Sequence, residues 1–229
     1  MNLSEIRNKI RLMVPEANTT VISNSNLDIL INDGALDIVK RTDCLQNYDD
    51  QDVTADQQEY TLPTDAIKVL AVWYGGSGAW EKLPCVTQDW LANEIDVEWM
   101  NKTTTIYGYY LRANKVGLYQ IPTSAEAGTD YLRIFYTEQP DTLSEDSNIP
   151  FNSQTQLYPY HELIMLYGMY KIKQILGKWE QAKVIETDYL MKCAEMRREL
   201  QKLDDFLQPI TPYYKGGGGS SIKQNPLDQ

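Results

Sequence analysis

Apolar residues in 159–207 recur with a helical period, in two runs broken at Gly177. In the second run Ala182, Ile185, Tyr189, Cys193, Met196, Leu200, Leu203 and Leu207 stand three or four apart, on one stripe of a long helix. Lys183, Glu186, Lys192, Glu195, Arg197, Arg198 and Lys202 largely face elsewhere. In the first run, residues 160–176, a wider apolar face holds Tyr160, Leu163, Ile164, Tyr167, Tyr170 and Ile175. Pro159 suits its first position, where a missing N–H would be an orphan anyway. A short break between two amphipathic helices predicts an antiparallel hairpin, and such a hairpin needs more apolar surface to close its core.

The N-terminal residues supply that surface. Residues 4–14 carry Ile6, Ile10 and Met13 on one side and stop at Pro15, because the residue before a proline is pushed out of helical geometry. Ser23 is a candidate N-cap, with Ile22 and Leu27 placed for a hydrophobic staple. Leu27, Ile31, Ala35, Ile38 and Leu45 then repeat at helical spacing, which predicts a helix to about Cys44. In the expected core, Leu163, Tyr167, Tyr189, Met196 and Leu200 are buried between the hairpin and residues 27–38.

Between these helical ends the period changes to two. Residues 46–58 are acidic (Asp49, Asp50, Asp52, Asp56), show no periodicity and read as a solvated loop. They lack the frame of a calcium loop, with its alternate oxygen ligands, glycine and later glutamate. Residues 59–63 form a short strand stopped by Pro63. In Ala66–Tyr74, Ile67, Val69, Ala71 and Trp73 alternate with Lys68, Leu70, Val72 and Tyr74; both sets are largely apolar, so the strand is expected to be covered on both faces. Gly75-Gly76-Ser77-Gly78 reads as a turn to a hairpin partner at residues 80–83, since no Lys-Ser/Thr and helix follow as a phosphate loop requires. Thr87 caps an expected short helix, residues 88–95, with Trp90, Leu91 and Ile95 on one side. Strands are predicted at 104–112, 117–121 and 130–137, with a tight turn at Ala113-Asn114 and Leu132, Ile134 and Tyr136 alternating with Tyr131, Arg133 and Phe135. Residues 139–158, with Pro140 and Pro150, read as a polar loop. After Leu207, Pro209 and Pro212 exclude a helix, and the Gly-Ser run at 216–221 behaves as random coil.

The expected fold class is therefore α+β, a helical bundle of two N-terminal helices and a C-terminal hairpin with a β-rich insertion and an extended tail. Its segments are 1–45, 46–158, 159–207 and 208–229.

Composition narrows the function. No run approaches the roughly 18 apolar residues of a membrane span, and residues 1–14 are charged and amphipathic rather than a secretory signal, so the expectation is a cytoplasmic protein without membrane partners. Cys44, Cys85 and Cys193 lie far apart and read as small apolar residues in a reducing compartment. The net charge of −11 argues against a nucleic-acid grip, which needs clustered Lys and Arg. The 16 tyrosines, rigid and amphipathic, suit interfaces as well as cores. His161, the one histidine, stands at a helix start beside Glu162 and reads as a surface or capping residue; no third group is in sight to orient it as a base. No catalytic, cofactor-binding or metal-binding residues are expected. The two classes in play are an interaction protein and an unrecognised soluble hydrolase.

Three stretches carry a family likeness. The first enters a strand through Tyr60-Thr61-Leu62-Pro63-Thr64-Asp65 with Ile67 and Val69. The second is Gly117-Leu118-Tyr119-Gln120-Ile121-Pro122, leading to residues 132–140, where a Leu-x-Ile-x-Tyr strand runs out into a proline. The third is Tyr160-His161-Glu162-Leu163-Ile164 through Gly177-Lys178-Trp179-Glu180-Gln181-Ala182. In their order and spacing they resemble the head–tail connector (adaptor) proteins of tailed bacteriophages, of the tail accessory factor type found in short-tailed phages, over most of residues 1–207. The resemblance implies a structural virion protein without catalytic residues or cofactors, made and assembled in the cytoplasm of the bacterial host. It implies a homo-oligomeric ring, usually of about twelve copies, at the head–tail junction beneath the portal protein. Such a ring extends the DNA channel, lets DNA pass without specific binding and offers a platform to tail or nozzle proteins. Extended C-terminal segments of that family dock on the portal, which makes Pro212, Tyr213, Tyr214, Lys215, Ile222 and Lys223 the portal-contact candidates. The alternative within virion proteins is another collar or tail ring, such as a tail terminator.

Overall fold

Asn2 opens the first helix with a reciprocal cap: its side chain accepts the Glu5 N–H at 2.9 Å while the Glu5 carboxylate accepts the Asn2 N–H at 3.0 Å. The computed structural model describes residues 1–75, 80–87, 102–103 and 106–207, with backbone alone for 102–103 and 202–207. The expected helix at 88–95, most of the glycine turn, the start of the strand at 104 and the tail lie outside the described residues. Helix α1 (Leu3–Met13) ends before Pro15, as its sequence requires. Helix α2 (Asn24–Thr42) starts where Ser23 accepts the Asn26 N–H at 3.2 Å, and it stops just before Cys44 because Asp43 takes a left-handed conformation. The hairpin consists of α3 (His161–Ile175) and α4 (Trp179–Leu207), joined through Gly177, whose φ of +71° a larger residue would adopt only with strain.

Two helical glycines set how closely these helices approach. A Cβ on Gly34 of α2 would lie 2.9 Å from the Tyr167 ring, and one on Gly168 of α3 would lie 2.9 Å from Ile10 Cδ1. The core between the four helices holds Leu3, Ile6, Ile10, Leu27, Ile31 and Ile38 together with Leu163, Tyr167, Tyr189 and Met196. Leu200, also expected there, is only half-buried. It sits where α3 is only beginning, since Tyr160 Oη donates to the adjacent Glu199 at 2.6 Å; the side chains of Leu203 and Leu207, expected further along the stripe, lie outside the described residues. Ile175 is exposed rather than buried, because the last turn of α3 projects at the loop. Pro159 belongs to a 3-10 segment, Thr155–Tyr160, that precedes α3. Residues 139–158 are no loose loop, since Leu143, Phe151 and Leu157 join the bundle core. Asn32 fixes them, its amide oxygen accepting the Leu143 N–H and its NH2 donating to the Leu143 carbonyl.

The insertion forms two principal sheets. In the first, β1 (Gln46–Val53), β9 (Gly128–Glu138), β3 (Ala66–Tyr74) and β4 (Glu81–Leu83) lie side by side, all antiparallel. In the second, β7 (Lys115–Leu118) runs between β2 (Glu59–Thr61) and β6 (Tyr109–Arg112), with Ala113-Asn114 as the two-residue turn. A two-residue parallel pair, β5 (Lys102–Thr103) with β8 (Ile121–Pro122), completes the described strands. Val72, Leu132 and Ile134 of the first sheet close a second core with Tyr60, Val116 and Leu118 of the other.

Strand β1 overturns the reading of residues 46–58 as a loop. Its two faces carry Tyr48 and Asp50 on one side and Asn47, Asp49 and Gln51 on the other, so hydropathy does not alternate although the backbone does. Ladder pairing with β9, from Gln46↔Thr137 to Gln51↔Leu132, is what makes it a strand. Carboxylates along a sheet edge also discourage edge-to-edge aggregation. Other expectations shift more modestly. The strand expected over 104–112 is seen from Tyr109, and that over 117–121 divides into β7 and β8 at Gln120, whose φ is 72°. Strand β3 buries Val72 and Tyr74, and the register shift at Leu70 sets the half-buried Val69, opposite Tyr136, against that same core, whereas Ala71 and Trp73, opposite Phe135 and Arg133, lie half-buried on the other face.

Candidate assembly surfaces

His161 is fully buried, not a surface residue. The N-terminal amine of Met1 donates to Nδ1 at 2.9 Å, the ring leans on Phe151 and Tyr158, and Nε2 has no hydrogen-bond partner. Burial, reinforced by the positive amine, pushes its pKa down to about 4, so the ring is neutral around pH 7. A neutral imidazole aimed at an amine has no substrate-facing nitrogen, and its role is to tie the chain start to the bundle. An open groove of about 630 Å³ lies beside β3 and the β6–β7 turn, walled by Leu62, Ile67, Val69 and Leu111. Its one ionisable lining residue, Lys68, is paired with Asp43 at 2.8 Å, which leaves no acid–base pair to do chemistry there. Among the described residues, no group of carboxylates, histidines and cysteines is arranged to hold a metal ion, and no helix is long and apolar enough to cross a membrane.

Ion pairs hold the described parts in register. Asp43, at the end of α2, takes Lys68 from β3, the Thr137 hydroxyl from β9 at 2.9 Å and Arg197 from α4 at 4.0 Å, so one carboxylate joins bundle to sheet. At the opposite end of α4, Glu16 accepts Lys178 at 2.5 Å and Lys173 at 3.3 Å; Lys178 first, and Lys173 with it, holds the Glu16 carboxyl down to about 2. Arg7 is clamped between Asp28 and Asp146. Burial raises the Cys44 thiol to about 11, and Cys193 is buried, as small apolar residues would be; Cys85 is instead exposed.

The open face of the four-stranded sheet is different. Tyr48 of β1, Phe135 of β9 and Trp73 of β3 form a chain of rings, with centroids 5.9 and 6.4 Å apart. The Arg133 guanidinium lies 4.6 Å from the centre of the Tyr48 ring and 4.7 Å from that of Trp80, and Asp50 across the ladder grips it from Nε at 2.6 Å and Nη2 at 2.7 Å. Tyr48 is 53% exposed and Trp80 42%. A planar, doubly held arginine between rings has the make-up common at the centres of protein interfaces. Sequence reasoning had Arg133, Phe135 and Trp73 in strands but missed Tyr48 and Asp50. The available signal was the aromatic and acid at alternate positions opposite a strand carrying Arg133.

Comparison with known proteins settles what kind of molecule carries these surfaces. The model of the SU10 adaptor protein family matches residues 1–212. The chain belongs to that family. It is a phage head–tail adaptor family, so this adaptor is a component of the virion, and the family is a structural one rather than a class of enzyme. No curated protein matches the chain. The portal-contact candidates Pro212, Tyr213, Tyr214, Lys215, Ile222 and Lys223 lie outside the described residues.

Proposed function

We propose that the adaptor forms a ring of about twelve copies beneath the portal, extends the DNA channel and gives tail or nozzle proteins their platform. The observation that carries this reading is the family match over residues 1–212, which runs past the end of α4 at Leu207 and takes in the start of the tail. The net charge of −11 agrees with a conduit, because an acidic wall repels phosphate where a basic one would hold the passing DNA. The tail makes the portal contact: Pro212, Tyr213, Tyr214 and Lys215 before the glycines, and Ile222 and Lys223 beyond them, dock on portal subunits. A flexible linker of about ten residues reaches roughly 15–20 Å. Many weak dockings on one ring reinforce one another through effective concentration.

The test mixes the full-length chain, or a chain truncated after Leu207, with the portal of the same phage. Negative-stain microscopy and mass measurement read the products. A ring attached to the portal is expected for the full-length chain, without retention of duplex DNA at low salt, and loss of attachment with unchanged circular dichroism for the truncated one. No complex with the full-length chain would sink the reading, and equally firm attachment without the tail would move the contact to the folded part.

A further inference from the structure

We infer that the aromatic face of the four-stranded sheet is the contact between neighbouring copies, and that it receives the outer side of α4 from the next copy. The inference rests on the ring reading above. The face has the make-up of an interface centre: Tyr, Trp and Arg are the residues that most often dominate binding energy. They are already fixed, since the Arg133 guanidinium is held between the Tyr48 and Trp80 rings and by Asp50, so little side-chain freedom is lost when a partner covers them.

Charge identifies the occupant. Copies that each carry −11 repel one another, and contact is least opposed where the local charge balances. On this face Asp50 is matched by Arg133, and the exposed Lys82, which pairs with Trp73 across the β3–β4 ladder, adds a positive charge at the β4 edge. A cationic partner would be drawn to the acidic remainder of the surface instead.

A ring needs a heterologous contact, in which the surface that fits this face is a different one on the next copy. The outer side of α4 supplies it. Val184 and Met191 are 71% and 57% exposed and stand seven residues apart, two turns along one side of the helix. Lys192, 3.3 Å from Glu162 and 3.8 Å from Asp188, offsets one of these two carboxylates, and the remaining negative charge complements Lys82 at the edge of the sheet face. Methionine adapts readily to an aromatic surface.

The test measures mass by analytical ultracentrifugation over a concentration series for the full chain and for two double variants. One is Tyr48→Ser with Trp80→Ser; the other is Val184→Glu with Met191→Glu. All four positions are exposed, so unchanged circular dichroism is the control for folding. Each variant should assemble only at concentrations about tenfold or more above wild type. Mixed together they should form one-to-one pairs that grow no further, because each retains the surface the other has lost. A wild-type chain that stays monomeric to millimolar concentration and builds no ring on the portal sinks both the ring reading and this contact. A ring that forms equally well from the Tyr48→Ser/Trp80→Ser chain leaves the ring standing and overturns the aromatic face. Failure of the mixture to pair overturns the assignment of α4 as its complement.

Discussion

The bundle and the four-stranded sheet place similar aromatic clusters on opposite sides of the solvent boundary. In the bundle, Tyr167, Tyr170 and Tyr189 meet with centroids 5.1 to 5.8 Å apart, and Tyr189 Oη donates to Asp37 at 2.6 Å. Burial first, then Asp37, pushes the Tyr189 hydroxyl far above its ordinary range. On the sheet, Tyr48, Phe135 and Trp73 keep similar separations, but Tyr48 is exposed and the other two are only half-buried. Ring contacts alone do not say what a cluster is for. Coverage does: the inner one stabilises the fold, whereas the outer one has its largest apolar term still to gain when something covers it.

The largest effects should therefore come from the bundle, graded by burial. Met196→Ala and Leu163→Ala remove fully covered side chains and should each cost about 2–5 kcal/mol. Leu200→Ala, at the open end of the same stripe, should cost about 1 kcal/mol, because part of its surface is already wet. Denaturant midpoints at constant slope measure all three. Equal losses at Met196 and Leu200 would mean that the end of the bundle is closed by something beyond these helices.

The next effect is a pH dependence that the sheet does not share. Since the pKa of His161 is about 4 in the folded chain and near 6.5 unfolded, the unfolded state takes up the proton first as pH falls. Stability is therefore complete above about pH 6.5 and drops on the way down to about 4, by on the order of 2–3 kcal/mol. Because the chain has one histidine, the window between about 4.5 and 6.5 belongs largely to this ring. Glu138, whose carboxyl burial raises, works in the opposite sense just above its usual range, and Glu16 matters only below that. Urea titrations at pH 7 and pH 5 should show the loss in the native chain and a flatter profile in His161→Gln. An unchanged slope in the variant would assign the acid sensitivity to carboxylates.

Where the hydropathy pattern has a period, it was enough to read the fold. The stripe of α4, the Ser23 cap, the Gly177 break and the alternation of β9 all follow from residue spacing, and each is present. Legibility fails where tertiary pairing overrides local pattern. Strand β1 is polar on both faces and exists through its ladder with β9, and the buried state of His161 depends on Met1, which is 160 positions away in sequence. The aromatic face was half legible for the same reason. Arg133, Phe135 and Trp73 were placed by alternation, whereas Tyr48 and Asp50 needed the register that sets Tyr48 opposite Phe135 and Asp50 opposite Arg133.

The smallest expected effect lies on the sheet. Tyr48→Ala removes an exposed ring from above Arg133, and a cation–π contact at a site this open contributes about 0.5–1 kcal/mol. Asp50 still grips the guanidinium in the variant, so Arg133 should stay in place and the unfolding midpoint should move by no more than that. Trp80→Ala should behave alike. A double-mutant cycle between the two adds a sharper readout, because Tyr48 and Trp80 interact through the arginine they share rather than through any ring contact of their own. Their coupling should stay below about 0.5 kcal/mol in the monomer. A monomer stability loss as large as that of Met196→Ala would make the outer cluster part of the core and erase the contrast with the bundle. A small loss in the monomer, with a large one in assembly, is what a surface kept for another molecule should give.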